Sequence, residues 1–189
     1  MIDNALSFVL DELNAYLSAT FGAGEKHAVL GTVAAPANGA APQNENKVIL
    51  SLVNLERETS IGSTGFVAGT GGSYTKTNPS LYLNLYVMVA ANYPNNYNNS
   101  LRMLSACMGF FQARQMFDPQ NSPRFPADMA QLTLEIVSLT LAELSTLWAI
   151  LGNNYLPSSV YKLRMITVQN AWTIAPIPTV TAVDPQVGG

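Results

Sequence analysis

The chain has 189 residues, of which 48% are hydrophobic and only 11% are charged, and its formal net charge is −3. A chain of this length usually forms one domain with a substantial core, and its plentiful aliphatic and aromatic residues exclude a disordered acidic tail. The acidic balance and the scattered basic residues also argue against a nucleic-acid-binding protein. Soluble domains carry about 25% charged residues, so this charge-poor composition favours a surface that other subunits cover.

The first part of the chain alternates regular structure with loops. Residues 2–20 carry apolar side chains at helical spacing, and the loop 22–46 contains one short β-like stretch at 28–33. Residues 47–58 predict a strand. Residues 59–79 are rich in glycine and predict a second loop, whose length is typical of functional or disordered segments.

The second part of the chain begins with the clearest strand, at 80–91, where leucine and valine alternate with more polar residues. The pattern then predicts a helix at 97–112, a strand at 131–139, a helix at 140–151 and a strand at 160–168. The apolar stripe expected on the first of these helices consists of Tyr97, Leu101, Leu104, Met108 and Phe111.

The helix at 140–151 has the most complete end signals. Thr140 and Glu143 have the spacing of a capping box, in which each side chain satisfies a backbone amide of the other residue. Leu139 and Leu144 fit the accompanying hydrophobic staple, and Gly152 fits the C-terminal stop.

This order of elements predicts an α+β domain over residues 1–169, with a mostly antiparallel sheet and about three helices packed on one face. An extended C-terminal arm is predicted over 170–189. The other face of the sheet is either solvated or a subunit interface, because tyrosines beside a few charges are typical of interfaces. Its predicted residues are Asn54, Glu56, Tyr82, Asn84, Tyr86, Thr133, Glu135, Lys162 and Arg164, and the candidate interface set is Tyr82, Asn84, Tyr86, Lys162 and Arg164.

The residues that could carry chemistry are few. A single cysteine and a single histidine allow no intrachain disulfide and no multi-histidine metal site. Core packing is the favoured interpretation of Cys107, a loop position that of His27, and a solvated strand end that of Glu56 and Glu58. The glycine run at 69–73 lacks the Lys-Ser/Thr pair of a phosphate-binding loop. We therefore predict no catalytic residue, no metal site and no cofactor.

Two further expectations concern the chain ends. Residues 170–189 are either a frayed terminus or a segment that adds a strand to another protein's sheet. The N-terminus lacks the basic region of a signal peptide, which predicts cytoplasmic synthesis. The candidate residues of the arm are Trp172, Ile174, Ile177, Val180 and Val183.

Four ordered segments resemble the tail-terminator, or cap, proteins of phage-tail-like extracellular contractile injection systems, of the antifeeding-prophage-like kind. These segments are MIDNALSFVLDELNAYL at 1–17, KVILSLVNLERE at 47–58, and the stretches 79–123 and 132–168. Together they cover most of residues 1–169. The resemblance implies the fold of the terminators of long-tailed phages, a small sheet flanked by helices.

The same resemblance implies structural work without catalysis. Such caps form a homohexameric ring at the baseplate-distal end of the inner tube, stop tube and sheath polymerisation, and anchor the last sheath layer. The implied partners are the chain itself, the inner-tube protein and the sheath protein, with no nucleic acid and no direct membrane insertion. The particle is either released from the cell or attached to a membrane. The candidate tube-end loop residues are Gly62, Gly65, Phe66, Gly69 and Tyr74.

The resemblance has limits. Some family members continue into a further C-terminal region, whose roles do not transfer to this chain, and the glycine-rich loop at 59–79 matches no family motif. Two alternatives stay open at this point. One is a baseplate or tube-adaptor component of the same particle, and the other is a small ligand-binding or enzymatic α+β domain.

Overall fold

The computed structural model describes residues 1–34, 44–58, 66–68, 74–76, 82–152, 155–167 and 175–177. Within these residues the chain forms three helices and two sheets, which confirms the α+β class. The elements, in chain order, are α1 (Ile2–Phe21), β1 (Ala28–Leu30), β2 (Lys47–Arg57), β3 (Phe66–Ala68), β4 (Tyr74–Lys76), β5 (Tyr82–Asn92), α2 (Tyr97–Ala113), β6 (Met116–Phe117), β7 (Met129–Val137), α3 (Leu141–Leu151), β8 (Ser158–Thr167) and β9 (Ala175–Ile177).

The main sheet has six strands in the order β1-β2-β5-β8-β7-β6. Every neighbouring pair is antiparallel except β1 and β2, which run parallel, so the sheet is mixed. A parallel pair needs a crossover, and here the chain from β1 to β2 supplies it. The predicted mostly antiparallel sheet is confirmed, with this one parallel edge.

Helices α1 and α2 cover one face of the sheet and enclose the larger core. The alternation expected in β5 is present, since Leu83, Leu85, Val87 and Val89 all point into this core. Burial of these aliphatic side chains is the main driving force for the domain, at about 25 cal/mol per Å² of apolar surface. The helices contribute, among others, Leu13 and Leu17 from α1 and Met103, Cys107, Phe110 and Phe111 from α2.

Helix α3 lies on the opposite face, so the expectation that all helices pack on one face is wrong. Its Trp148 is buried against Met88 and Val160, which belong to a second, smaller core with Val33, Ile49 and Ala90. The physical reason is that β5 is apolar on both faces at its C-terminal end. Met88 and Ala90 require a cover there, and α3 supplies it.

The N-terminal and C-terminal signals of α3 are confirmed. The Glu143 backbone amide donates to Thr140 Oγ1 at 3.3 Å, and the Thr140 amide donates to Glu143 Oε2 at 2.8 Å. Both hydrogen bonds of the capping box are therefore present. Gly152 ends the helix in the left-handed conformation, with φ of 65°.

The predicted apolar stripe of α2 is wrong at three of its five positions, since Tyr97, Leu101 and Met108 are exposed. Phe111 is buried as predicted, and Leu104 packs against the core. The buried face instead contains Ser100, Met103, Cys107, Phe110 and Phe111. Apolar residues occur on more than one side of this helix, so helical spacing alone does not select the side that meets the sheet.

The loop predicted at 59–79 contains two strands, β3 and β4, which form an antiparallel pair. β9, within the predicted arm, pairs with β4 and completes a three-stranded sheet. Strands of three residues are too short to show alternation, and this pairing joins segments that are distant in sequence. Local patterns therefore missed them.

Candidate assembly surfaces

The polar residues predicted for one face of the main sheet lie side by side on adjacent strands. Residues from β2, β5, β8 and β7 line up across the sheet in two adjacent rows. The first row is Asn54, Tyr86, Lys162 and Glu135, and the second row is Glu56, Asn84, Arg164 and Thr133. α3 covers the neighbouring part of this face, so these two rows form the part beyond the helix.

Hydrogen bonds within the chain occupy much of this polar surface. The Tyr86 hydroxyl donates to Glu56 Oε2 at 2.9 Å, and this hydrogen bond, together with desolvation, raises the pKa of Tyr86. Asn84 Nδ2 donates to Glu58 Oε2 at 3.3 Å, and Arg164 Nη2 lies 3.8 Å from the same oxygen. The parts of the two rows contributed by β2 and β5, together with Arg164, thus form an internally bonded network rather than a set of separately solvated side chains.

The candidate interface residues differ in their exposure. Asn84 is only 4% exposed in the single chain, so it has little surface to offer a neighbour. Tyr82, Tyr86, Lys162 and Arg164 are half-buried. Two buried polar atoms of the network, Asn84 Oδ1 and Arg164 Nε, have no hydrogen-bond partner among the described residues.

The outer side of α3 is an apolar surface that the sequence reading missed. Leu141 is 86% exposed and Ile150 is 78% exposed. Between residues 136 and 161 the only charged residue is Glu143, whose carboxylate is engaged at the start of its own helix. The exposed positions of this surface, here called the α3 ridge, are Leu141, Ala142, Glu143, Ser145, Thr146, Ala149 and Ile150. Apolar residues on both sides of the helix were the available signal.

The β1 edge of the main sheet is blocked by a side chain at one residue, Ala28. Asn14 of α1 is buried, and its Nδ2 donates to the Ala28 carbonyl at 2.9 Å. The Ala28 amide in turn donates to Asn14 Oδ1 at 2.9 Å. One side-chain amide therefore satisfies the backbone donor and acceptor that a further strand would otherwise engage.

The opposite edge is closed for only part of its length. β6 pairs with β7 at Leu132 and Thr133, and the Leu134 amide donates to the Gln115 carbonyl at 2.8 Å. Beyond Leu134, no described residue pairs with this side of β7. Residues 135–137 thus form an open strand edge.

The residues considered for catalysis or metal binding are either hydrogen-bonded within the chain or buried. His27 Nε2 lies 3.1 Å from the Gly22 carbonyl. Cys107 is fully buried, as expected for a core residue, and this burial raises the pKa of its thiol to about 12. Glu56 and Glu58 belong to the hydrogen-bonded network of the sheet face. Among the described residues, no group of three or more His, Cys, Asp or Glu side chains is arranged to hold a metal ion.

The two remaining candidate sets lie partly outside the described residues. Gly62, Gly65 and Gly69 of the candidate tube-end loop lie outside them, as do Trp172, Ile174, Val180 and Val183 of the arm. The structure describes the strands that contain Phe66, Tyr74 and Ile177. It pairs Tyr74 with Ile177, so backbone from the two candidate sets meets in one small sheet. No described helix is both long and apolar enough to cross a membrane.

Comparisons with known proteins agree with this architecture. No curated protein matches the chain significantly. One similar solved structure is the PVC sheath/tube terminator of an extracellular contractile injection system in its extended state, with a TM-score of 0.58, 15% identity, and coverage of 100% of this chain and 64% of that one. Another is the tube-terminating cap of the anti-feeding prophage, with a TM-score of 0.55, 13% identity, and coverage of 97% and 61%.

The chain therefore spans somewhat less than two thirds of the length of these two solved chains, and it shares their fold. A family model described as the Pvc16 N-terminal domain matches residues 6–182, which is nearly the whole chain. The protein belongs to the Pvc16 N-terminal domain family.

Proposed function

We propose that the protein is a structural tail terminator, which ends tube and sheath polymerisation at the baseplate-distal end of a contractile injection particle. The observation that carries this proposal is the family match over residues 6–182, together with a fold shared with two proteins described as terminators. The role requires no catalysis. The particle is either released or membrane-attached.

The terminator acts as a homohexameric ring. A closed ring needs head-to-tail contacts between two different surfaces of each copy. The α3 ridge is one candidate, because a helix face with Leu141 and Ile150 exposed and Glu143 as its one charge is suited to burial by a neighbour. The sheet-face set of Tyr82, Asn84, Tyr86, Lys162 and Arg164 is the other, with its tyrosines and cations forming the polar border of the contact around the buried Asn84.

The inner-tube and sheath proteins are the proposed partners at the two ends of the ring. We assign the tube end to the loop with Gly62, Gly65, Phe66, Gly69 and Tyr74. The sheath contact is assigned to residues 170–189, with Trp172, Ile174, Ile177, Val180 and Val183. Pairing of β4 with β9 supports a joint role, since the two segments share a sheet and a load on one is transmitted to the other.

Electron cryo-microscopy of particles that carry a labelled copy of this chain tests the proposal. We expect a six-fold ring at the baseplate-distal end, and tubes and sheaths of uncontrolled length when the gene is deleted. Label at the baseplate end would replace the terminator by an adaptor of the same particle. Particles without label, with normal length after deletion, would reject both.

Truncation tests the sheath contact. Deletion of residues 178–189 retains β9, whereas deletion of 170–189 also removes it. We expect sheaths that detach from the cap in the longer deletion, and partial detachment in the shorter one. Normally anchored sheaths in both truncated particles would reject the arm as the sheath contact.

A further inference from the structure

A groove lies beside the open edge of β7, on the face that α1 and α2 cover. Its apolar lining is formed by Met108 and Phe111 of α2, Leu134 and Ile136 of β7, and Tyr161 of β8. Its volume is about 480 Å³, and Gln112, Gln115 and Glu135 complete its lining. This set of residues is here called the β7 groove. Met108 and Ile136 leave substantial apolar surface in it, since Ile136 is 53% exposed.

The backbone next to the groove is ready to accept a strand. In an antiparallel sheet, alternate residues direct both backbone groups to the same side. The Leu134 amide points outward to the Gln115 carbonyl, so the amide and carbonyl of Ile136 point outward as well. On the outer side of β7, the line of strand β6 ends at Gln115, where the chain connects to α2. From that point a guest strand can pair with β7 in line with β6.

Isolated proteins usually protect such edges with lysine, proline, a bulge or a covering loop. Residues 134–137 read Leu-Glu-Ile-Val and contain neither lysine nor proline. The only register irregularity between β7 and β8 lies at Met129 and Gln131, at the far end of the strand. An open edge and an exposed apolar groove therefore coincide at Ile136.

We propose that the open edge of β7 binds an extended segment of another polypeptide, which adds one short strand to the main sheet. A guest residue paired with Ile136 lies on the same face of the sheet, so aliphatic side chains at alternate guest positions fill the β7 groove. The intervening guest residues lie on the other face, beside Glu135. This inference does not depend on the proposed terminator role.

Charge selects the chemistry of the guest. Across the sheet, Lys162 is paired with Glu135, and Glu135 is the last charge before the open edge. A lysine or arginine in the guest, opposite Glu135, continues this alternation of charge. The expected ligand is thus an extended segment with valine or isoleucine at alternate positions and one basic residue between them.

A second copy of the chain fits the edge less well. Its β1 edge is already occupied by Asn14 at Ala28, so it cannot simply continue the sheet. Two β7 edges paired about Ile136 would place both Glu135 carboxylates diagonally on one face, roughly 7–8 Å apart, which is repulsive. The segment 168–189 of another copy contains no lysine or arginine.

A fluorescent peptide tests the proposal on the purified full chain. The probe alternates valine with threonine, with one threonine replaced by lysine, and binding is followed by anisotropy. We expect saturable binding that protects the Ile136 amide from hydrogen exchange. Ile136→Lys, which places a charge in the groove, weakens binding by roughly tenfold or more. Ile150→Lys, an equivalent change on the α3 ridge, is the matched control and leaves binding unchanged.

A charge exchange separates strand addition from nonspecific apolar binding. Glu135→Lys weakens binding of the lysine peptide and favours a peptide with glutamate at the same position. Circular dichroism and urea unfolding verify that each variant is folded. Absence of saturable binding, or binding that Ile136→Lys leaves intact, would overturn the proposal. A concentration-dependent dimer abolished by Ile136→Lys would also overturn it, because the edge would then belong to a second copy.

Discussion

The two edges of the main sheet solve the same problem in opposite ways. At β1, Asn14 donates to and accepts from the Ala28 backbone, both at 2.9 Å, and the edge is closed inside the chain. At β7, β6 covers only Leu132 and Thr133, and the next outward-facing residue after Leu134 has no described partner. The protein therefore holds one edge closed with a buried side chain and leaves the other open beside an apolar groove.

The two edges differ in whether a further strand can pair with the sheet there. The buried side-chain amide of Asn14 would be destabilising if its hydrogen bonds were not made, so its position depends on the β1 backbone. β7 carries no comparable device along residues 135–137. Strand addition is therefore blocked at Ala28 of β1, whereas no described residue obstructs it at residues 135–137 of β7.

The largest expected effect is a loss of stability on truncation of Phe117, which anchors the short strand β6 beside β7. Phe117 of β6 is fully buried, with its ring 5.4 Å from that of Phe8 and the Arg114 guanidinium 4.8 Å above it. We expect Phe117→Ala to lower the free energy of unfolding by about 3–5 kcal/mol. Urea denaturation measures the change. Met116→Ala, in the same strand but exposed, is the control and should have a much smaller effect.

Opening the closed edge is expected to have the next largest effect. Asn14→Ala leaves the buried amide and carbonyl of Ala28 without partners, at about 1–3 kcal/mol for each group. We expect a loss of about 2–4 kcal/mol in urea denaturation and increased self-association by light scattering. Ser7→Ala, at an exposed site of the same helix, is the control. A stability equal to that of the control would show that Asn14 does not close the edge.

A smaller effect is expected at the helix that follows the open strand. Thr140 accepts from the third residue of α3 and has an exposed side chain, so the loss of its hydroxyl affects only the helix end. We expect Thr140→Ala to lower the free energy of unfolding by about 1 kcal/mol. Thr140→Ser retains the cap and should be nearly neutral. Equal losses in both variants would show that the hydroxyl does not stabilise α3.

The smallest change in stability compares the two edges directly. Ile136 of β7 and Leu30 of β1 are both exposed apolar residues on edge strands. Lysine at either position should change the free energy of unfolding by less than about 1 kcal/mol. Binding of the lysine-containing peptide should differ, since only Ile136→Lys places a charge in the β7 groove. We expect that variant to weaken peptide binding, whereas Leu30→Lys leaves it unchanged. The reverse result would contradict the assignment of the edges.

The elements predicted well share one property, which is that local chemistry determines them. The capping box of Thr140 and Glu143 and the stop at Gly152 depend on neighbouring residues, and each is present. The alternation in β5 predicted which side chains share a face, and the polar rows containing Tyr86 and Arg164 follow from it. The surfaces that distinguish this protein were not predictable in this way, because exposure depends on which elements lie over them.

Both errors in helix placement illustrate that dependence. The exposed residues of α2 include the apolar Tyr97, Leu101 and Met108, so apolar character alone does not show that Cys107 and Phe110 face the core. In α3, apolar residues lie on both sides of the helix. One side packs in the smaller core that contains Trp148, and the other forms the exposed α3 ridge. Helical spacing gives the period of a helix, and neighbouring elements decide its orientation.

The α+β class, the order of the helices and long strands, the helix-end signals and the shared faces of the long strands can be read from the sequence, because they follow from backbone propensity, capping and side-chain period. The position of α3 on the second face, the pairing of β9 with β4, and the contrast between Asn14 at Ala28 and the open edge of β7 emerge only in the folded chain. Those features arise from contacts between residues far apart in the chain, and a local pattern contains no information about such pairs.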